Sequence, residues 1–135
     1  MIRTLFLTLM GLAVAGCATS VNVGAPRPEV LRDVEGYAIA SCLNNQADPA
    51  LKDQGDAWAS VIVQRAKGNL DSFTDLGEQV KRECATGDMA VMRDEANPRE
   101  GKALPVLYCA EIIDSPPVRA AIQKAVEELN PSYEQ

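Results

Sequence analysis

Residues 28–43 read PEVLRDVEGYAIASCL, and their apolar positions Leu31, Val34, Ala38 and Cys42 recur at intervals of three and four. An α-helix of about 3.6 residues per turn stacks such positions on one face, so the spacing predicts a helix that buries one stripe. The polar run of Asn44, Asn45 and Asp48, followed by Pro49, ends it. Gly36 weakens this helix by about 1 kcal/mol relative to alanine, unless a neighbouring helix needs the space.

Working outward, the same period returns. A second helix is predicted over about Pro49 to Lys67, carrying Trp58, Val61, Ile62 and Arg65 before a stop at Gly68, with Gly55 offering a second place for a close helix contact. A third, from about Leu70 to Ala85, puts Phe73, Leu76, Val80 and Cys84 on one side. Thr86 to Gly101 loses the period and reads as the longest loop, and Ala103 to Ile113 reads as a buried segment. Ser115 is placed as an N-cap with Pro116 at the first helical position, opening a last helix to about Leu129 with Val118, Ile122, Val126 and Leu129 as its apolar stripe. There is little β-type alternation, no Asn-Gly hairpin signal and no internal repeat. The expected fold is all-α: a single compact domain of about five helices.

The N-terminus reads differently. Met1-Ile2-Arg3 supplies a basic start, an apolar run follows to Ala15, and Ala15, Gly16 and Cys17 are small. This is the layout of a secretory signal. The run from Leu5 to Ala15 is shorter than the roughly 20 residues a spanning helix needs, which makes a permanent transmembrane anchor the weaker reading. Val14-Ala15-Gly16-Cys17 resembles the bacterial lipobox, which implies cleavage before Cys17 and lipid on that cysteine; several acyl chains hold a protein firmly where one holds it marginally. The expected organisation is a lipoprotein signal peptide over 1–16, a lipidated N-terminus and flexible linker over 17–28, and a helical domain over 29–135. Ala18 stands where the resemblance would put aspartate for inner-membrane retention, so the expected location is the outer membrane, facing the periplasm.

Removal of residues 1–16 leaves 119 residues and takes away Arg3, moving the net charge from −6 to −7. An acidic chain without clustered Lys and Arg is a poor match for nucleic-acid phosphates and a better one for a basic protein partner. The chain has no histidine, so Ser-His-Asp and Cys-His catalysis are both closed to it and the commonest zinc ligand is missing. No Cys-x-x-Cys pair and no glycine-rich phosphate cradle occurs. Acid pairs such as Asp53 with Asp56, or Glu127 with Glu128, read as solvated helix faces. No enzyme activity, metal or cofactor is expected.

With Cys17 assigned to lipid, Cys42, Cys84 and Cys109 remain, and an oxidising periplasm favours one disulfide and one odd thiol. Cys42 and Cys109 are the better pair, because each sits in an apolar helical run; pairing of Cys42 with Cys84 stays open. A bridge from 42 to 109 would stabilise by roughly 3 to 5 kcal/mol on loop-entropy grounds. Cys84 follows Lys81 and Arg82, cations that would lower its pKa, but a partly buried spare thiol is the more ordinary role.

Three stretches together resemble a known family: Tyr37-Ala-Ile-Ala-Ser-Cys42-Leu43 on the first helix, Asp56-Ala-Trp58 on the second, and Leu107-Tyr-Cys109-Ala-Glu-Ile-Ile-Asp114-Ser115 with Val118 beyond. The chain resembles, over about Val30 to Val126, the amidase immunity proteins of type VI secretion, the Tai family. That resemblance implies a small periplasmic helical protein with two helical cysteines joined. It implies binding, as a homodimer, to a secreted peptidoglycan amidase whose cleft the protein occludes. The segment that enters the cleft would map to Thr86 to Gly101, with Asp88, Met89, Met92, Arg93, Asp94, Glu95, Arg99 and Glu100 as the partner-binding loop. Methionines among charges suit an adaptable apolar contact with an electrostatic match.

A second reading, from a different class, is an outer-membrane lipoprotein that acts as an envelope-assembly or scaffold module. The anchor at Cys17 is its support. A small-molecule binding module ranks below both, because Tyr37, Trp58, Phe73, Tyr108 and Tyr133 lie scattered along the chain.

Overall fold

A computed structural model describes residues 26–97 and 99–135; the signal peptide, Cys17 and most of the linker lie outside the described residues. Helix α1 (Glu29–Asn44) is the centre of the domain. Its predicted stripe of Val34, Ala38 and Cys42 is buried with Leu31 half-buried, but Val30, Ala40, Ser41 and Leu43 are buried too. Burial round most of its circumference follows from its small residues, which let α2 (Pro49–Arg65), α3 (Asp71–Thr86), α4 (Pro105–Glu111) and α5 (Pro116–Tyr133) all pack against it. The domain is all-α, with these five helices, a 3-10 turn at Ile112–Asp114 and one short hairpin among the described residues. No helix among the described residues is long and apolar enough to cross a membrane.

Each junction has a local cause. Asp48 caps α2, its carboxylate accepting from the N–H groups of Ala50 and Leu51 at 2.8 and 3.2 Å, with Pro49 at the first turn. Gly55 lets α2 approach closely: a Cβ there would lie 2.4 Å from the Asn44 nitrogen and 2.6 Å from the Ala40 oxygen. After α2 the chain turns at Gly68, whose φ of 95° is costly for any residue with a Cβ. α3 buries Phe73, Leu76 and Val80, as its spacing predicts, and Phe73 meets Tyr37 of α1 at a ring separation of 4.9 Å.

Three expectations are corrected, and the Ser115–Pro116 start of α5 is found where expected. The stretch Thr86 to Gly101 is not a plain loop: β1 (Val91–Arg93) pairs antiparallel with β2 (Gly101–Ala103), with Met92 opposite Lys102. Ala103 to Ile113 is not a buried segment, because α4 sinks only Cys109 while Val106 and Leu107 are 59% and 44% exposed. Ser115 stands at the N-cap of α5 before Pro116, but its hydroxyl makes no capping bond and is buried without a partner. α5 runs past Leu129 to Tyr133 despite Pro131, because Tyr133 is drawn back to the core, where its hydroxyl donates to Asp33 at 3.0 Å.

Two carboxylates of α1 are buried. Asp33 accepts from Arg65 as well as Tyr133, and Glu35 accepts from Arg27 and, at 2.8 Å, from Arg119, which also holds Asp114 at 2.7 Å. Buried charges of this kind persist only when paired, so they fix the relative settings of α1, α2 and α5. Burial, with the bond to Asp33 next, pushes the Tyr133 phenol up to about 12.

Candidate functional site

The site begins at the root of the hairpin. α3 ends at Thr86, and Gly87 donates back to the Glu83 carbonyl at 2.8 Å. Gly87 is there for want of room: a Cβ would fall 2.2 Å from the Tyr108 hydroxyl, which itself donates to the Glu83 carbonyl at 3.4 Å. Burial first, then the nearby Cys84 and the carboxylates of Glu83 and Asp88, pushes the Tyr108 phenol up. A ladder bond from Leu104 to the Ala90 carbonyl closes the base of the ribbon and leads directly into α4.

Below this root the three sulfurs meet. Cys42 of α1 and Cys109 of α4 form the disulfide, as the better of the two pairings predicts. Cys84 of α3 is a free, half-buried thiol whose sulfur lies 3.4 Å from that of Cys42. Burial, then the Glu83 charge, pushes this thiol up to about 11, so Lys81 and Arg82 do not activate it. Both cations are exposed to solvent, whereas Cys84 packs against the apolar core.

The hairpin itself stands away from the helices. All eight residues of the predicted partner-binding loop are exposed, distributed along it rather than gathered at one point. Asp88 and Met89 lie on the approach, Met92 and Arg93 on β1, Asp94 and Glu95 at the start of the connection, and Arg99 and Glu100 on the return. The Asp94 carboxylate accepts from the Ala96 N–H at 2.8 Å and shapes the turn. Met92, Arg93, Asp94, Glu95, Glu100, Gly101 and Lys102 line an open hollow. Among the described residues, none of the ion pairs involves a charge of the hairpin.

Three exposed apolar residues of this region escape the sequence reading: Val91, Val106 and Leu107. Val91 and Met92 are neighbours on a strand and face opposite sides of the ribbon, yet they are 51% and 53% exposed, so neither side is covered. With Met89 and the start of α4 they place large apolar side chains on both faces of a ribbon that is otherwise charged, the composition of a contact surface. The β-branched Val91 next to Met92 is the signal that could have revealed the strand. Val106 and Leu107 carried none, because apolar residues before a buried cysteine look like core. Comparison with known protein families, with characterised proteins and with solved structures finds no match for this chain.

Proposed function

We propose that this chain is an immunity protein of the periplasm, which binds a type VI secreted peptidoglycan amidase and occludes its cleft with the hairpin between α3 and α4. The observation that carries the reading is the uncovered ribbon itself, with Met92 and Val91 exposed on opposite faces and its charges in none of the ion pairs among the described residues. Its strands lie about 5 Å apart, so the ribbon is thin enough to enter an enzyme groove and has apolar contacts to offer each wall. It rises from a base held by the disulfide and by Tyr108, which limits the ordering cost of binding. The protein acts by occupation, with no reaction or cofactor of its own. Lipid on Cys17 tethers it to the outer membrane on the periplasmic side, where an injected cell-wall enzyme arrives, and two copies bind together as the family resemblance implies.

The test starts from the genes beside this one. A neighbour encoding a Cys-His peptidoglycan amidase is expected, and the purified chain should block that enzyme's cleavage of isolated peptidoglycan at near-equimolar ratio. Deletion of residues 88–100 should abolish the block while the helical circular dichroism persists. Undiminished cleavage in the presence of excess intact protein would sink the proposal, and undiminished inhibition by the deletion variant would move the interface off the hairpin.

A further inference from the structure

The hairpin is bounded by two cysteines, Cys84 near the end of α3 and Cys109 within α4, and both reach the same sulfur of Cys42 on α1. We propose that these three residues form a thiol–disulfide relay in which Cys84 displaces Cys109 from Cys42, changing which side of the hairpin is bonded to the central helix. The attacking sulfur is already seated 3.4 Å from Cys42 Sγ, within near-attack range. The departing sulfur is provided for as well: the side-chain amide of Gln46 donates toward Cys109 Sγ at 3.4 Å and toward Cys42 Sγ at 3.6 Å. That amide lies where negative charge develops as the bond to Cys109 breaks.

The step balances without an outside oxidant. The Cys84 thiol gives its proton to solvent, its thiolate forms a bond to Cys42 Sγ, the Cys42–Cys109 bond breaks, and the electron pair left on Cys109 Sγ takes up a proton. One disulfide and one thiol exist before and after. Glu83 from its own helix and Tyr108 from α4 are the ionisable groups that bear on Cys84, while α1 brings only the bonded Cys42 and the turn after it the neutral Gln46. Both ionisable groups are anionic or neutral, so none helps the thiolate form, and exchange is slow near neutrality and quickens with rising pH. After exchange, α4 with Val106 and Leu107 is no longer bonded to α1, and the hairpin is held through α3 instead. The effect on a partner rests on the reading of the hairpin as the binding element; the exchange does not.

Trypsin separates the three cysteines onto peptides 33–52, 83–93 and 103–119, so pairing is directly countable. The full chain, purified without reductant, is incubated at neutral and at mildly alkaline pH, quenched in acid, alkylated and mapped by mass spectrometry. The expected result is a 33–52/83–93 linked pair that grows with time at alkaline pH while Cys109 becomes alkylated in proportion. Gln46→Leu should slow that growth several-fold, and Cys109→Ser should be recovered with Cys42 bonded to Cys84. Persistence of only the 33–52/103–119 pair at every time and pH would overturn the relay, whether or not the Cys109→Ser variant folds. Exchange without inhibition of the amidase would overturn the functional reading and leave the relay standing; inhibition without exchange would do the reverse.

Discussion

Replacing Gly55 by alanine is expected to weaken the fold, although alanine is the better helix former. Propensity alone favours the change by about 1 kcal/mol. Against it, the new methyl would sit 2.4, 2.6 and 2.9 Å from the Asn44 nitrogen, the Ala40 oxygen and the Leu43 carbonyl carbon, all of them α1 backbone that no rotamer change can move. Restoring an ordinary contact of at least 3.4 Å requires α2 to retreat by about 1 Å, a gap that forfeits a quarter to a half of the dispersion energy at each pair it opens. Ile62, fully buried against Gly36, would loosen with it. An overpacking cost of about 1 to 3 kcal/mol, less the propensity gain of about 1 kcal/mol, leaves a net loss of up to about 2 kcal/mol. Two other helical glycines calibrate the argument. At Gly77 the nearest atoms are those of the Tyr37 ring at 3.6 Å, an ordinary contact, so Gly77→Ala should stabilise by up to about 1 kcal/mol. At Gly36 the nearest atom is the end of the flexible Ile62 side chain at 3.1 Å, so Gly36→Ala should be near neutral. Urea titrations followed by far-ultraviolet circular dichroism, with the disulfide intact, give the three midpoints. A Gly55→Ala midpoint raised as much as that of Gly77→Ala, with unchanged slope, would refute the close approach of α1 and α2.

Reducing and alkylating the protein should lower its stability by about 4 kcal/mol, the chain-entropy value for cysteines 67 residues apart, as read from thermal or urea midpoints; a loss under about 1 kcal/mol would mean the bridge constrains little. Between pH 10 and about 12 stability should fall, because the unfolded phenol of Tyr133 ionises near 10 while the folded one holds its proton up to about 12: the contribution is whole below 10 and lost as pH rises. Since Tyr133 is partly exposed, the effect is on the order of 1 kcal/mol; it should be measured in Cys84→Ser to silence the thiol, and Tyr133→Phe should flatten the slope without removing it, because the raised Tyr108 phenol titrates over the same range. Asp33→Ala should destabilise by about 3 kcal/mol, since it leaves Arg65 and the Tyr133 hydroxyl without their shared acceptor, and a midpoint within error of the parent would show that water replaces the carboxylate freely. Val91→Ser with Met92→Ser should leave the urea midpoint unchanged and weaken amidase binding by tenfold or more in titration calorimetry, while equal affinity would exclude the ribbon from the interface.

The helices were legible because each has a stripe at three-and-four spacing that the core then uses: Val34, Ala38 and Cys42 on α1, Phe73, Leu76 and Val80 on α3, Val118, Ile122 and Leu129 on α5. The central position of α1 was not, because its burial extends well beyond that stripe, round most of the circumference, and the small residues that permit it look neutral in a pattern. The hairpin was missed for a different reason. Its strands are three residues each, too short for alternation to register, and they are joined by a charged connection rather than a two-residue turn. Charge pairing was beyond reach in principle: Asp33 meets Tyr133 across 100 residues and Glu35 meets Arg119 across 84, and nothing local to either acid marks its partner.

The same distinction separates what holds the molecule together from what it presents. The disulfide, the buried acids and the Gly55 contact all lie within the helical body or at the hairpin's root, whereas Val91, Met92 and the loop charges stand exposed on the ribbon. Substitutions more than about 7 to 10 Å apart without shared partners add in free energy. Gly55→Ala and the paired hairpin changes should therefore add: the triple variant should lose the stability of the first and the affinity of the second, with no coupling term. The sulfurs are the exception, because Cys84 and Cys109 belong to both regions, one on each side of the ribbon and both against Cys42. A change at Cys84 is thus the single substitution of modest structural cost that should couple hairpin behaviour to the core, and Cys84→Ser combined with the hairpin changes should depart from additivity in binding while the stabilities still add.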